Sequence, residues 1–348
     1  MKQFNVEIFD RSYVFRDAKQ IGSFDYSFDY LSIEENTVPL PTDTKCEVGD
    51  YLFLTSETDY MAGIVSSIKN NKKTLRVNIK PFMSWLDVEI KKEELTGYIE
   101  DYLKGIIDGL YVNNFDTYQN IIPLSTQTTS QTLGTIVLEN ETMKLFDVIC
   151  EIFKKYGVVI RFEVDSVAGQ IKCLIGKNTE PQKTIEANLP NLISKNIVMK
   201  TSSMESFNKV YIFNTGEDST GEEVTYYRDG DGTITETPSE RILPVVFKDV
   251  SIQAKPEDFD LKALEKATDV LAVEKNNNLI ELEMLEDDSL FEPKEMNIGQ
   301  DVLVISEGKE YESMLTGYKF KNGKITLIFG AIRLELTKIL KRRLNNEY

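Results

Sequence analysis

Histidine is absent from the 348 residues. That removes Ser-His-Asp and Cys-His catalytic arrangements, the usual zinc sites and the iron triad of two histidines and a carboxylate. Cysteine is scarce. Cys46, Cys150 and Cys173 stand far apart, with no CxxC or other ligand-like spacing. A disulfide framework is therefore not expected, and buried free thiols made in a reducing cytoplasm are. Basic charge is in deficit: 40 Lys and Arg face 57 Asp and Glu, a net −17. A nucleic-acid-binding surface would need a basic face, whereas an acidic wall repels phosphate and lets DNA slide past without sticking. No glycine-rich phosphate loop is present, and no apolar run approaches the ~20 residues of a membrane span. The first residues, MKQFNVEIFDRSYVF, lack the long apolar core of a signal peptide. A soluble product of a reducing cytoplasm is expected, with no cofactor, no metal and no membrane insertion.

What is present is enough for real cores. Apolar residues make up 41% of the chain, and the length predicts roughly two to four compact units. The chain also reads as containing one strand-rich stretch twice. Val48 to Ile79, VGDYLFLTSETDYMAGIVSSIKNNKKTLRVNI, follows the same order of features as Ile298 to Leu336. That order is glycine turn, strand, charged turn, strand, polar hairpin, strand. Val48-Gly49 falls on Ile298-Gly299 and Ser56-Glu57 on Ser306-Glu307. A register shift of one then places Tyr60 on Tyr311 and Lys73 on Lys324.

Along the chain, the first ninety residues read as short strands separated by turns, which predicts a small antiparallel barrel or sandwich. In the last of these strands Leu75, Val77 and Ile79 alternate with Arg76, Asn78 and Lys80. Spacings of three and four predict a helix over Leu95 to Leu110 and a second from about Glu141 to Tyr156, with Gly157 as its C-cap. Two strands follow, Val158 to Val164 and Ile171 to Ile175. After Ser206 the pattern returns to β. Asp260 is the expected N-cap of a third helix with a buried stripe of Leu261, Leu264, Ala267, Val270 and Leu271. Ile280, Leu282 and Met284 then alternate with glutamates.

Few residues suggest chemistry. Asp229-Gly230-Asp231-Gly232-Thr233 resembles a calcium loop, but the sixth position is Ile234 rather than glycine, and Asp-Gly between strand-like runs favours a hairpin. Glu93-Glu94 and Glu286-Asp287-Asp288 supply carboxylates of the kind a glycosidase pairs across a cleft. Among 57 acidic residues the simpler reading is solvated surface. Lys338, Lys341, Arg342 and Arg343 form a basic tail that either docks an acidic partner or is solvated. Trp85, the one tryptophan, sits in Pro81-Phe82-Met83-Ser84-Trp85-Leu86 and is expected to pack rather than to stack on a ligand.

The order of these parts resembles the tail-hub proteins of long-tailed bacteriophages, the family typified by the central baseplate hub of the T-even phages. The residues that carry the likeness are Val48-Gly49-Asp50-Tyr51-Leu52, Gly63-Ile64-Val65, Leu75 to Leu86, Asn208-Lys209-Val210-Tyr211, Ile298-Gly299, Leu315-Thr316-Gly317 and Phe329-Gly330-Ala331-Ile332-Arg333. The resemblance implies an α+β, mainly β fold: two similar small antiparallel β-barrels, an α/β unit and a helical insertion. The expected boundaries are 1–90 for the first barrel, 91–200 for the α/β domain, 201–250 with 291–340 for the second barrel, 251–290 for a helix-strand insertion and 341–348 for the basic tail. It implies a non-enzymatic homotrimer, a ring of six quasi-equivalent barrels at the virion tail tip that joins the tail tube to the tip and lets DNA pass. Expected partners are a distal tail or tube protein, a spike, fibre or lysin protein and the tape-measure protein. The residues expected at the ring interface are Val48, Gly49, Leu75, Val77, Ile79, Ile298, Gly299, Ile325, Leu327 and Phe329. A tail-associated cell-wall hydrolase and a carbohydrate-binding adhesin are the alternatives.

Overall fold

Alternating side chains lay down the first sheet. In β1 (Gln3–Phe9) Phe4, Val6 and Ile8 are buried, while Gln3 and Asn5 are exposed. β2 (Phe15–Gly22), β3 (Tyr26–Asp29), β4 (Asn36–Leu40), β5 (Tyr51–Thr55), β6 (Tyr60–Asn71) and β7 (Thr74–Lys80) follow. Six of these strands pair in the order β2-β1-β5-β6-β7-β4, every neighbour antiparallel. Val6, Ile8, Leu52, Leu54, Val77 and Ile79 share the core on one face. β5 is buried on both faces, because Tyr51 and Phe53 point the other way into a second core. The computed structural model describes residues 3–56, 60–91, 95–136, 142–165, 169–188, 190, 192–199, 207–216, 219–230, 233–240, 245–271, 278–285 and 296–331.

The second core belongs to the α/β layer. Its elements are β8 (Glu89–Lys91), β9 (Leu95–Tyr98), α1 (Ile99–Ile107), β10 (Leu124–Thr128), β11 (Leu133–Ile136), β12 (Thr142–Lys144), α2 (Leu145–Tyr156), β13 (Val158–Asp165) and β14 (Gln170–Lys177). The first helix starts four residues later than its apolar spacing predicts, since Leu95–Tyr98 pairs with β11 as a strand. The Glu100 carboxylate pins its first turn by accepting from Ser130 Oγ (2.6 Å), Thr132 N (2.7 Å) and Thr132 Oγ1 (2.7 Å). α2 starts at Leu145, later than the expected Glu141, because Thr142–Lys144 pairs with β8 as a strand; it ends as expected at Gly157, whose φ of 69° is the left-handed cap. Tyr30 enters this core from the N-terminal region. Its hydroxyl accepts from Ile160 N at 2.8 Å, and its ring lies 4.7 Å from that of Phe153. Trp85 stacks on Phe82 at 4.6 Å, a packing role. Cys150 and Cys173 are buried free thiols and Cys46 is half-buried and free; burial pushes each up to about 12.

β15 (Lys183–Glu186) and β16 (Leu192–Met199) come next, and the chain then enters a separate compact unit, 199–277. There β17 (Lys209–Asn214), β18 (Glu223–Arg228), β19 (Ile234–Thr235) and β20 (Phe247–Ile252) form a four-stranded sheet in the order β19-β18-β17-β20. α3 (Phe259–Leu271) packs on it through Phe259, Ala263, Ala267 and Leu271. The expected stripe is corrected at Leu261 and Leu264, which are 65% and 42% exposed. The buried face instead runs through Phe259, Ala263, Ala267 and Leu271, with two alanines at its centre. The assignment of 201–250 to the second barrel is also corrected. Its described strands pair with one another and not with those after 291. Around Asp229 the chain makes the expected hairpin, with Tyr227 opposite Thr235 and Arg228 opposite Ile234.

The second large sheet completes the first unit, 1–198 with 278–348. β21 (Asn278–Leu285), β22 (Asp301–Ser306), β23 (Lys309–Lys321) and β24 (Lys324–Phe329) pair in the order β15-β22-β23-β24-β21-β16. Residues 183–199 thus join this sheet instead of the α/β domain, and β21 joins it instead of a helix-strand insertion. β3 adds to β23, with Gly317 opposite Asp29 and Phe320 opposite Tyr26.

Two measurements follow from these backbones. Gly299 has φ +80°, and a Cβ there would sit 2.7 Å from Val159 Cγ1. Gly299→Ala is expected to lower the unfolding free energy by ~1–3 kcal/mol in a denaturant titration. In the 199–277 unit, Asp229 accepts from Ser239 Oγ (2.6 Å), Ser239 N (2.8 Å), Glu240 N (2.6 Å) and Gly230 N (2.9 Å). The Ser239 hydroxyl first, then these amides, hold its carboxyl down at about 2. A depressed carboxylate adds stability above its unfolded value, 3.8, and loses it as pH falls through the folded value. Stability should therefore fall between about pH 4 and pH 2, and Asp229→Asn should flatten that part of the profile in acid titrations followed by circular dichroism.

Candidate assembly surface

One four-strand unit occurs twice, and the two copies match in hydrogen bonding. Gly49 N donates to Val65 O at 2.8 Å and Gly299 N to Leu315 O at 2.8 Å. Val65 N donates to Asp50 O (2.9 Å), and Leu315 N to Gln300 O (3.0 Å). Both glycines have positive φ, +92° and +80°. The turn before each strand is closed by the next side chain: Glu47 N donates to an Asp50 carboxylate oxygen at 2.8 Å, and Asn297 N to Gln300 Oε1 at 3.2 Å. Tyr51 lies opposite Ile64 as Asp301 lies opposite Met314, and Asn71 opposite Thr74 as Lys321 opposite Lys324. The separation is a constant 250 residues, Gly49 to Gly299. The expected register shift is thereby corrected: Tyr60 corresponds to Glu310, and Lys73 to Gly323.

The match extends to a defect. Each long strand bulges where it turns from one neighbour to the next, between Val65 and Ser67 and between Leu315 and Gly317. The extra residues are Ser66 and Thr316, and their hydroxyls donate to Asn78 O and Ile328 O, each at 3.1 Å. β4 lies beside β7 as β21 lies beside β24, both antiparallel. Beyond this unit the copies diverge. β5 is flanked by antiparallel β1, whereas β22 is flanked by parallel β15. Asp50 lies 3.1 Å from Arg16 Nε, while Gln300 Nε2 donates to Pro181 O at 3.0 Å. Burial pushes the Asp50 carboxyl upward against the pull of Arg16.

The long strands also differ in what covers them. On β23, residues 317–320 are covered by β3, and Tyr30 N donates to Thr316 O at 2.9 Å. The corresponding stretch of β6, Ser67–Asn70, has no strand on that side among the described residues. At its tip Lys69, Lys72, Lys73 and Arg76 are exposed, and none forms an ion pair with another described residue.

Of the residues expected at the ring interface, Leu75, Val77, Ile79, Ile325, Leu327 and Phe329 are at most 8% exposed and fill the cores beneath the two sheets. This corrects their role: their side chains are spent inside the chain. Val48 is 52% exposed, Ile298 is half-buried, and Gly49 and Gly299 shape the turns. Lys338, Lys341, Arg342 and Arg343 lie outside the described residues, as do Glu93-Glu94 and Glu286-Asp287-Asp288.

A second surface escaped the sequence reading. Phe115, Tyr118 and Ile122 are 104%, 98% and 76% exposed on one loop. Its backbone is held by Asn114 N to Asn120 Oδ1 (2.8 Å), Asp116 N to Asn114 Oδ1 (2.8 Å) and Ile121 N to Tyr111 O (2.8 Å). Aromatics interleaved with Asn and Asp were the available signal. Near β3, a cavity of about 320 Å³ is walled by Phe28, Met61, Phe82, Met83, Phe162 and Arg161.

Truncating the inward residues tests their placement. Val77→Ala and Leu327→Ala should each cost ~1–4 kcal/mol of unfolding free energy in denaturant titrations. Wherever the protein stays folded, its self-association should be unchanged, since those side chains face a core.

No protein-family model matches the sequence, and no curated protein matches it. Solved structures do. The tail protein from Neisseria meningitidis MC58 is similar at 12% identity over 94% of this chain and 96% of that one, with a TM-score of 0.55. The prophage tail protein gp18 from Listeria monocytogenes EGD-e is similar at 13% identity over 98% of each chain, with a TM-score of 0.51. Both likenesses span nearly the whole of both chains, so they include the α/β layer and the two large sheets. The resemblance seen in the sequence therefore holds at the level of architecture: this chain has the fold of phage and prophage tail proteins.

Proposed function

We propose that this chain is a structural hub subunit at the tail tip of a phage, a prophage or a phage-tail-like particle. Three copies would form a ring in which each contributes two quasi-equivalent barrels, six in all. The observation that carries this reading is the repeated four-strand unit, three of whose strands keep a constant 250-residue separation with the same turns, registers and bulges. Two equivalent modules in one chain allow a three-fold ring to present a six-fold face, and a head-to-tail contact closes such a ring.

Its work is mechanical. The ring would join the tail tube to a spike, fibre or lysin protein, with the tape-measure protein and then DNA passing through. The net charge of −17 suits a lumen that does not hold phosphate. No catalytic step is assigned to it. The chain has no histidine, and the repeated elements are backbone turns and strand pairings rather than convergent reactive side chains. The protein would act as part of a multi-protein tail complex, in the virion.

The test is the mass of the purified chain by sedimentation velocity across a concentration series, with electron-microscope class averages of the assembled species. A particle near three times 39.8 kDa, with three-fold averages showing six similar lobes, is expected. A monomer at every concentration, or a closed particle of another symmetry, would overturn the ring.

A further inference from the structure

The two copies of the repeat are alike in fold and unlike in one respect that bears on assembly. Residues 317–320 of β23 have their outer edge closed by β3, which comes from the segment just ahead of β4, the first strand of the other repeat. One chain thus already contains one junction between a first repeat and a second, made by main-chain pairing. Thr316 O points at this partner, because Tyr30 N donates to it. Backbone direction alternates along an antiparallel strand, so Tyr318 and Phe320 also turn their amides and carbonyls towards β3. Subtracting the constant separation places Ser66, Ile68 and Asn70 in the same position on β6. Ser67, Lys69 and Asn71 then face β7, which they oppose as Asn78, Arg76 and Thr74.

We propose that the edge of β6 at Ser67–Asn70 is the site at which a second copy of this chain docks, by adding an extended segment antiparallel to β6 in the register that β3 adopts on β23. Ile68 and Asn70 exchange main-chain hydrogen bonds with it. An edge with unpaired amides and carbonyls is a template for strand addition. The partner is a second copy on two grounds. The covered edge in the chain shows what a repeat of this kind accepts, namely a segment adjoining the other repeat. Charge agrees as well. In a chain of net −17, the end of β6 and its hairpin, whose edge has no strand on that side among the described residues, carry Lys69, Lys72 and Lys73, with Arg76 beside them on β7, all exposed and without ion pairs among the described residues. The second repeat presents Asp301, Glu310 and Glu312, also exposed and also without such pairs. Glu310 and Glu312 lie opposite Ile305 and Leu303 on the β22-β23 hairpin. The second repeat also carries Lys309, Lys319, Lys321 and Lys324, so the complementarity is local: a basic edge on the first repeat facing the acidic patch on the β22-β23 hairpin makes a head-to-tail contact, and head-to-tail contacts propagate around a ring.

This inference rests on the ring reading above and goes further by naming the contact. Asn70→Pro removes an amide that faces outward and leaves the β6-β7 ladder intact, as proline on an edge strand does. Lys69→Glu with Lys72→Glu reverses the charge of the edge, and Glu310→Lys with Glu312→Lys is the matching change on the other repeat. Self-association is read by sedimentation velocity, folding by thermal melts. Hydrogen exchange across 66–71 is followed in the wild-type chain at low and high concentration. The expected results are weaker self-association of Asn70→Pro and of the lysine pair by ~tenfold or more with an unchanged melting midpoint. Recovery is expected when the lysine and glutamate changes are combined, with slower exchange at Ile68 and Asn70 as the wild type assembles. If the wild type assembles with no protection at 66–71, or if folded Asn70→Pro assembles like wild type, the contact is overturned while the ring stands. If the wild type does not assemble at any concentration, the ring reading fails and this contact falls with it. Exchange in the wild type decides the matter even if Asn70→Pro does not fold.

Discussion

The architecture of the larger unit depends on four residues of main-chain pairing, β3 against β23. Tyr26–Asp29 leaves the N-terminal sheet's path and adds to a strand nearly three hundred residues away. Three aromatic residues make the detour hold. Tyr26 stacks on Phe320 at 5.3 Å, Phe28 on Tyr318 at 5.8 Å, and Tyr30 drives between α2 and β13, where it accepts from Ile160 N. The same short segment therefore touches the core of the first sheet, the second sheet and the α/β layer. Asn36 braces it by exchanging two hydrogen bonds with the Ser27 backbone, 2.7 and 2.8 Å. A single stretch carries long-range order that would otherwise need separate interfaces.

Where sequence and structure agree, the physics is local. β7 alternates cleanly because one face is buried and the other wet, and α2 ends at Gly157 because a left-handed cap favours glycine. Gly49 and Gly299 stood out as the start of a repeat for the same reason. The sheet membership of β15, β16 and β21 was not legible. Their partners lie far along the chain, 119 positions for the parallel pair Lys183 and Val302 and 49 for Ile280 and Phe329, and short amphipathic runs fit several sheets equally well. α3 misled for a different reason. Leu261 and Leu264 form a helical stripe, yet the face buried against the sheet runs through Ala263 and Ala267 between Phe259 and Leu271.

The assembly surface divides in the same way. The duplicated turn was visible, but the side chains taken for its interface are the ones that hold each sheet together. Apolar alternation marks the face turned inward, and a strand's pairing capacity lies in its backbone, which no side-chain pattern records. Even the register shift in the aligned repeats came from matching tyrosine to tyrosine and lysine to lysine. The hydrogen-bond ladder keeps step where those identities do not, since geometry is conserved by the turn, the bulge and the hairpin together.

The lengths of the two long strands carry one more consequence. β6 has 12 residues and β23 has 13, each extending roughly 40 Å at the rise of a β-strand. Their bulges fall at equivalent points, so the bend in each comes at the same distance from its hairpin tip. Set side by side around an axis, such strands would reach a common level, and the rim they define would be flat rather than stepped. In the proposed ring, a flat rim would be a bearing surface on which a cylindrical neighbour of higher symmetry could seat evenly, with load shared across every module.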